Sequence, residues 1–162
     1  MDAADAVDAA ARAVAGLTAA GQTVATAESV TGGLIAGRLT GVAGASAAVR
    51  GALVVYAPDL KTRLAGVPAE VIAAAGVVSE AVARALAAGA RRACAADWGI
   101  GVTGVAGPGP SDGVPAGTVW LALAGPDGDQ AERLCLPGGR AAVRAAAVDR
   151  AVAMLADAVG GV

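Results

Sequence analysis

Ala27-Glu28-Ser29-Val30-Thr31-Gly32-Gly33 is the stretch on which the chain turns. Here an apolar, β-like run from Thr23 to Ala27 ends in hydroxyls and glycines, just ahead of a helix-like run from Leu34 to Leu39. A strand that stops at a tight turn exposes a side chain at its tip. The turn also places free N–H groups of Thr31, Gly32 and Gly33 where the next helix begins, a setting suited to an anion or an oxyanion. The same residues have a purely structural reading, in which Ser29 or Thr31 is a helix N-cap and the glycines let helix and strand pack closely.

Outward from this turn the periodicities give the architecture. Upstream, Val7, Ala11, Val14 and Leu17 recur at helical spacing through Ala4 to Ala19, and Gly21 closes that helix. Thr31 to Leu39 reads as a second helix and Gly41 to Ser46 as a loop. Arg50 to Tyr56 is a continuous apolar strand of the kind buried on both faces. Pro58 opens a short helix carrying Lys61 and Arg63, and Pro68 opens another through Ala75. Ser79, followed by Glu80, is the N-cap of a long helix through Ala95.

Asp97 to Val105 is the next strand, and within it Gly99-Ile100-Gly101-Val102-Thr103-Gly104 matches the dinucleotide-binding fingerprint letter for letter. That fingerprint requires a helix at its last glycine, which Ala106-Gly107-Pro108-Gly109-Pro110 cannot open, so the glycines belong to a strand and its terminal loop. Gly117 to Ala124 and Gln130 to Leu136 form a hairpin around Gly125-Pro126-Asp127-Gly128, and a last amphipathic helix runs from Arg140 to about Val159. The succession specifies a layered α/β domain with a mixed sheet.

Residues 1–162 are of a length for one domain with one core. Hydrophobic residues make up 56% of the chain, but aromatics only 2% and Phe is absent, so thin layers of small side chains are expected. A net charge of −2, with no lysine- or arginine-rich tract, argues against a nucleic-acid partner. Asp2, Asp5 and Asp8 occupy the place of a basic signal region, and charges or glycines interrupt every apolar run before the ~18 to 20 residues that span a bilayer. A cytoplasmic protein with no membrane partner is expected. Cys94 and Cys135 lie far apart in apolar surroundings and read as buried thiols.

The missing residue types narrow the chemistry. The chain has no histidine, which removes a Ser-His-Asp triad, a Cys-His pair and most catalytic zinc sites. It also has no Walker A sequence, and no metal or cofactor is expected. A hydroxyl activated by lysine or a carboxylate remains, as does a carboxylate acting on water. Lys61 is the one lysine beside eleven arginines, and an ammonium gives up its proton where a guanidinium does not. To act as a base near neutrality its pKa must fall from ~10.4 to ~7 or 8, a differential destabilisation of about 4 kcal/mol. A solvated helix lysine is the structural alternative.

Several motifs together resemble the CinA carboxy-terminal domain family. They are Ala27 to Gly33, Gly44-Ala45-Ser46, Tyr56 with Lys61 five residues on, Gly76-Val77-Val78-Ser79-Glu80, Thr103-Gly104-Val105-Ala106-Gly107-Pro108 and Gly117-Thr118-Val119-Trp120. They follow the family's order and spacing from about Val7 to Leu155, and the chain looks like the family's stand-alone form, which is expected to lack the amino-terminal molybdopterin-binding-like domain. The resemblance implies a three-layer α/β/α sandwich, a homodimer, and an amidase that converts nicotinamide mononucleotide to nicotinic acid mononucleotide and ammonia in pyridine nucleotide salvage.

Carried over by position, Ser29 is the implied nucleophile and Lys61 the base that takes its proton and returns it to ammonia. Tyr56 would lower the lysine pKa or position the ring. N–H groups of Thr31, Gly32 and Gly33 would hold the oxyanion, and Ser46 and Thr103 would be pocket hydroxyls. Gly104, Ala106 and Gly107, with Arg140 or Arg144, would meet the phosphate of the small-molecule nucleotide.

Three positions depart from the family pattern. Val30 replaces a cysteine, Ser111-Asp112-Gly113-Val114-Pro115 replaces a Glu-Glu-Lys-Pro run, and Gly138-Gly139-Arg140 replaces Gly-Asp-Arg. The altered loop keeps open a catalytically inactive nucleotide-binding module. The family's historical name keeps open an interaction protein linked to competence or damage.

Overall fold

Strand β1, Val24–Glu28, has no residue exposed to solvent and lies inside the sheet. The computed structural model describes residues 3–160, with side chains from Ala9 onward. The single-domain expectation therefore extends at residues 1, 2, 161 and 162 beyond the described chain, and Val7 of the first helical stripe lies outside the described side chains. Around β1 the chain forms α1 (Ala3–Ala20), α2 (Leu34–Thr40), a 3₁₀ turn (Ala45–Ala47), β2 (Val49–Val54), α3 (Pro58–Ala65), α4 (Ala69–Ala75) and α5 (Glu80–Cys94). Then follow β3 (Trp98–Gly104), β4 (Thr118–Gly125), β5 (Gly128–Cys135) and α6 (Arg140–Val159).

The five strands lie in the order β2-β1-β3-β4-β5. β1 runs parallel to β2 and β3, whereas β4 is antiparallel to β3 and β5, so the sheet is mixed. Residues alternate between faces along β1, and the split organises the molecule. Val24 joins Leu17, Ile35, Leu39, Val152 and Leu155 in a cluster beneath α1, α2 and α6. Ala25 and Ala27 join Val55, Val67, Val82, Leu86 and Ala90 beneath α3 and α5. Three layers result. By the same alternation Glu28 belongs to the α2 side and Ser29 to the α3 side.

Small residues bring α5 close to the sheet. A Cβ at Gly99 would overlap the Ala87 carbonyl oxygen, and one at Gly101 the Ala83 carbonyl oxygen. The glycines of the apparent dinucleotide fingerprint are therefore packing surface on β3, as a strand assignment requires.

Three expectations are corrected. Arg50 to Tyr56 is not a strand buried on both faces: β2 is an edge strand whose Arg50, Ala52 and Val54 are exposed. An apolar run has the same composition at an edge as at a centre, and on the interior strand β1 the buried Thr26 hydroxyl and Glu28 carboxylate are paired with each other. The second helix starts at Leu34 rather than Thr31, since Gly32 and Gly33 hold φ of 62° and 98° and extend the turn. Neither thiol is buried: Cys94 is half-buried and Cys135 exposed on the edge strand β5. Among the described residues no helix is long and apolar enough to cross a membrane.

Candidate active site

From β1 the chain passes by α2 to β2 on one side, then returns across the opposite face by α5 to β3 on the other side. Strand order reverses at β1, and in open α/β sheets such a reversal leaves a crevice beyond the carboxyl ends of the strands. A cleft of about 450 Å³ opens at that place, with Ser29, Tyr56, Lys61, Thr103 and Arg140 in its wall.

Ser29 sits one residue beyond β1, held by its N–H to the Val102 carbonyl at 3.1 Å. Lys61 comes from the first turns of α3, which Pro58 opens, and is fully buried. Its Nζ lies 3.0 Å from Ser29 Oγ, 2.8 Å from the Val55 carbonyl oxygen and 3.4 Å from that of Tyr56. No carboxylate is among its partners within the described residues. Burial pushes the Lys61 ammonium below the usual lysine range. A neutral amine has two N–H bonds and one lone pair. In that neutral form, with the two carbonyls accepting the N–H bonds, the lone pair would face the Ser29 hydroxyl, the arrangement a general base needs.

Glu28 anchors the turn from the other face. Its buried carboxylate accepts the Thr26 hydroxyl at 2.9 Å and the Thr31 hydroxyl at 2.6 Å. It also accepts the N–H groups of Gly33, Ile35 and Ala36 at 2.9 to 3.0 Å. This carboxylate caps α2, where Ser29 or Thr31 was the expected cap, and it complements the positive end of the helix. The sequence signal was present: a lone carboxylate ends an otherwise uncharged strand just before a glycine turn and a helix that has no acid in its first turn.

These bonds redefine the candidate oxyanion donors. Gly32 N–H donates to the Ser29 carbonyl at 3.1 Å, Gly33 N–H to Glu28, and the Thr31 hydroxyl to Glu28. The two glycine amides are thus consumed by the fold. Val30 N–H and Thr31 N–H have no acceptor among the described residues, and Val30 lines the cleft.

The remaining expected residues divide. Thr103, Gly104, Ala106, Gly107 and Arg140 line the cleft. Thr103 is buried and donates its hydroxyl to the Val77 carbonyl at 2.9 Å, which pins the loop before α5 as another wall. Tyr56 is 57% exposed at the mouth, where its phenol oxygen accepts from Arg140 Nη2 at 2.7 Å. The phenol therefore contacts the arginine, and only the Tyr56 backbone contacts Lys61. Arg140 also donates to the Gly107 carbonyl at 3.2 Å. Ser46 is exposed on the 3₁₀ turn and takes no part in the cleft wall. Arg144 is likewise off the cleft, bonded to the Val30 and Thr31 carbonyls at 3.1 and 3.0 Å. Sequence reasoning did not place Pro58, Val77 or Val78 in the wall, to which the start of α3 and the loop before α5 bring them, whereas Ser111 and Asp112 line it from the altered loop that was expected to bear on substrate binding. Among the described residues no three potential metal ligands of the His, Cys, Asp or Glu type come together.

Known proteins place this geometry in a family. The family model described as the CinA C-terminal domain matches residues 7–159. A CinA-like protein of Anaeromyxobacter sp. (strain Fw109-5) is 52% identical over 143 residues, 88% of this chain and 35% of its own length. A CinA-like protein of Frankia casuarinae is 48% identical over 139 residues, 86% of this chain and 32% of its own. The chain thus spans about a third of the length of these curated relatives. Among solved structures, the competence/damage inducible protein CihA of Agrobacterium tumefaciens superposes with a TM-score of 0.91 at 39% identity, covering 96% of both chains. A CinA superfamily protein of Escherichia coli gives 0.91 at 30% identity, covering 96% of this chain and 91% of the other. With a matching family model over nearly its whole length, and a sheet and helices that superpose on solved members, the chain belongs to the CinA C-terminal domain family.

Proposed function

We propose that this protein is a serine–lysine amidase that hydrolyses the carboxamide of nicotinamide mononucleotide, releasing ammonia and nicotinic acid mononucleotide. The observation that carries the reading is the buried Lys61 amine, 3.0 Å from Ser29 Oγ at the floor of a cleft, in a chain with no histidine. Ser29 Oγ attacks the carboxamide carbon as its proton passes to Lys61 Nζ, and the carbonyl electron pair moves onto oxygen. Val30 N–H and Thr31 N–H are the available donors to that oxygen. The C–N bond then breaks, the Lys61 proton goes to the departing nitrogen, and ammonia leaves an acyl-Ser29. Water, deprotonated by the same amine, attacks the acyl carbon, and the proton returns to Ser29 Oγ as the acid departs.

An anionic substrate is supported by the charge around the cleft. Arg140 lies at the first position of α6, where the helix dipole disfavours a cation, and among the described residues it bonds only a carbonyl and a phenol. Its positive charge is left to a ligand. The glycine-rich loop of Gly104 to Gly109 beside it accommodates close approach of a phosphate. A homodimer belongs to the same reading, supported by exposed Val54 on the edge strand β2 with Leu34, Tyr56 and Leu64 on neighbouring segments. Ammonia release from the nucleotide, measured for the wild type and for Arg140→Met, tests the proposal. The expected result is turnover with a KM raised at least about tenfold in the variant, and a wild type that binds the nucleotide without releasing ammonia would contradict it.

A further inference from the structure

The two arginines of the first turns of α6, Arg140 and Arg144, lie one above the other at i,i+4 spacing, and neither has a carboxylate partner among the described residues. No acid occupies the first turn of that helix, so both cations sit against the positive end of its dipole. Helix stability does not account for them there. Arg140 reaches the cleft, whereas Arg144 is half-buried behind the nucleophile turn. Its Nε donates to the Val30 carbonyl at 3.1 Å and its Nη2 to the Thr31 carbonyl at 3.0 Å.

A planar guanidinium holding two successive carbonyls fixes the planes of two successive peptides. In a trans peptide the N–H points opposite to the C=O. The Val30 carbonyl shares its peptide with the Thr31 N–H, so a carbonyl turned toward Arg144 turns that N–H away from it. The Ser29 carbonyl, held by Gly32 N–H, likewise fixes the Val30 N–H of its own peptide. These are the two amides of the turn with no acceptor among the described residues.

We propose that Arg144 is a positioning residue for the oxyanion formed when Ser29 is acylated. Its bond to the Val30 carbonyl aims the Thr31 N–H of that same peptide, and its bond to the Thr31 carbonyl fixes the peptide of Gly32 N–H, which holds the Ser29 carbonyl and so aims the Val30 N–H. This rests on the serine nucleophile proposed above and replaces, for Arg144, the phosphate contact that the family resemblance implied.

The test compares wild type, Arg144→Lys and Arg144→Met in two reactions. One is ammonia release from nicotinamide mononucleotide and from its phosphate-free nucleoside. The other is the pre-steady-state burst of nitrophenolate from p-nitrophenyl acetate, with the acetyl group located on Ser29 by mass spectrometry. The expected result is a loss of about 10²-fold in kcat and in burst rate in both variants. KM should change less than about threefold, the loss should be equal with and without the phosphate, and the ascending limb of the pH profile set by Lys61 should not move. A lysine offers one nitrogen where the guanidinium sets Nε on one carbonyl and Nη2 on the other, and added methylguanidine should restore part of the rate to a third variant, Arg144→Ala.

A loss confined to the phosphorylated substrate and expressed in KM would overturn the proposal in favour of a phosphate contact. A wild-type burst rate in a folded Arg144→Met would overturn it outright, as would a wild-type Ser29 that is not acylated. A wild type that is acylated by the ester but does not release ammonia removes the amidase reading alone, and the burst rates still decide the role of Arg144.

Discussion

Lys61 is fully buried and has three polar neighbours, the Ser29 hydroxyl oxygen and the Val55 and Tyr56 carbonyl oxygens. Replacing it by methionine should lower amide turnover by about 10² to 10⁴-fold, the usual contribution of a positioned base, while circular dichroism shows an unchanged fold. Because burial lowers its pKa, the activity of the wild type should rise with pH along a limb below the ordinary lysine range. The same shift fixes a sign for stability. Below the folded-state pKa both states carry the ammonium and the burial penalty stands in full. As pH rises through that value the folded state sheds its proton first, so stability increases up to about the unfolded value of ~10.4. The Tm of Lys61→Met relative to wild type should therefore fall as pH rises through this window, and a constant difference would contradict a lowered pKa. Glu28 carries a different burden. Glu28→Gln offers one acceptor oxygen and an NH₂ group to five donors, and should cost about 2–4 kcal/mol in chemical denaturation.

At the level of elements, α5 and β3 meet through glycine, and the contact is set by backbone atoms that cannot rotate away. Gly101→Ala should destabilise the protein by about 2–3 kcal/mol and shift the strand that carries Thr103, as read by thermal melts and by activity. The periodicity of α1, α5 and α6 made these helices legible, since each buries a continuous apolar stripe, and the Pro126-Asp127 hairpin was legible from its turn residues. The place of β2 was not, because an apolar run reads alike at an edge and at a centre. Ser29 and Lys61 were legible as a pair through residue types and family order, the lysine being unique in the chain. The donors to an oxyanion were not. Which of the four amides from Val30 to Gly33 stays free depends on the Glu28 cap and the Ser29 turn, and both are three-dimensional facts.

Across the whole molecule, the reversal of strand order at β1 brings the ends of two strands, the start of α3 and the start of α6 to one cleft. Each face of the sheet supplies one half of the site. Glu28 and Arg144 hold the turn from the α2 and α6 side, and Lys61 reaches Ser29 from the α3 side. The unneutralised Arg140 at the mouth should make association with a phosphorylated substrate sensitive to salt: KM for the nucleotide should rise with ionic strength, with a weaker rise in Arg140→Met. Cleavage of a carboxamide by Ser29 and Lys61 underlies these expectations. It is tested most directly by ammonia release from nicotinamide mononucleotide, measured in parallel for the wild type and Ser29→Ala at equal concentration. Release by the first and none by the second is expected. Equal release by both, or none from a folded wild type that binds the nucleotide, would contradict it.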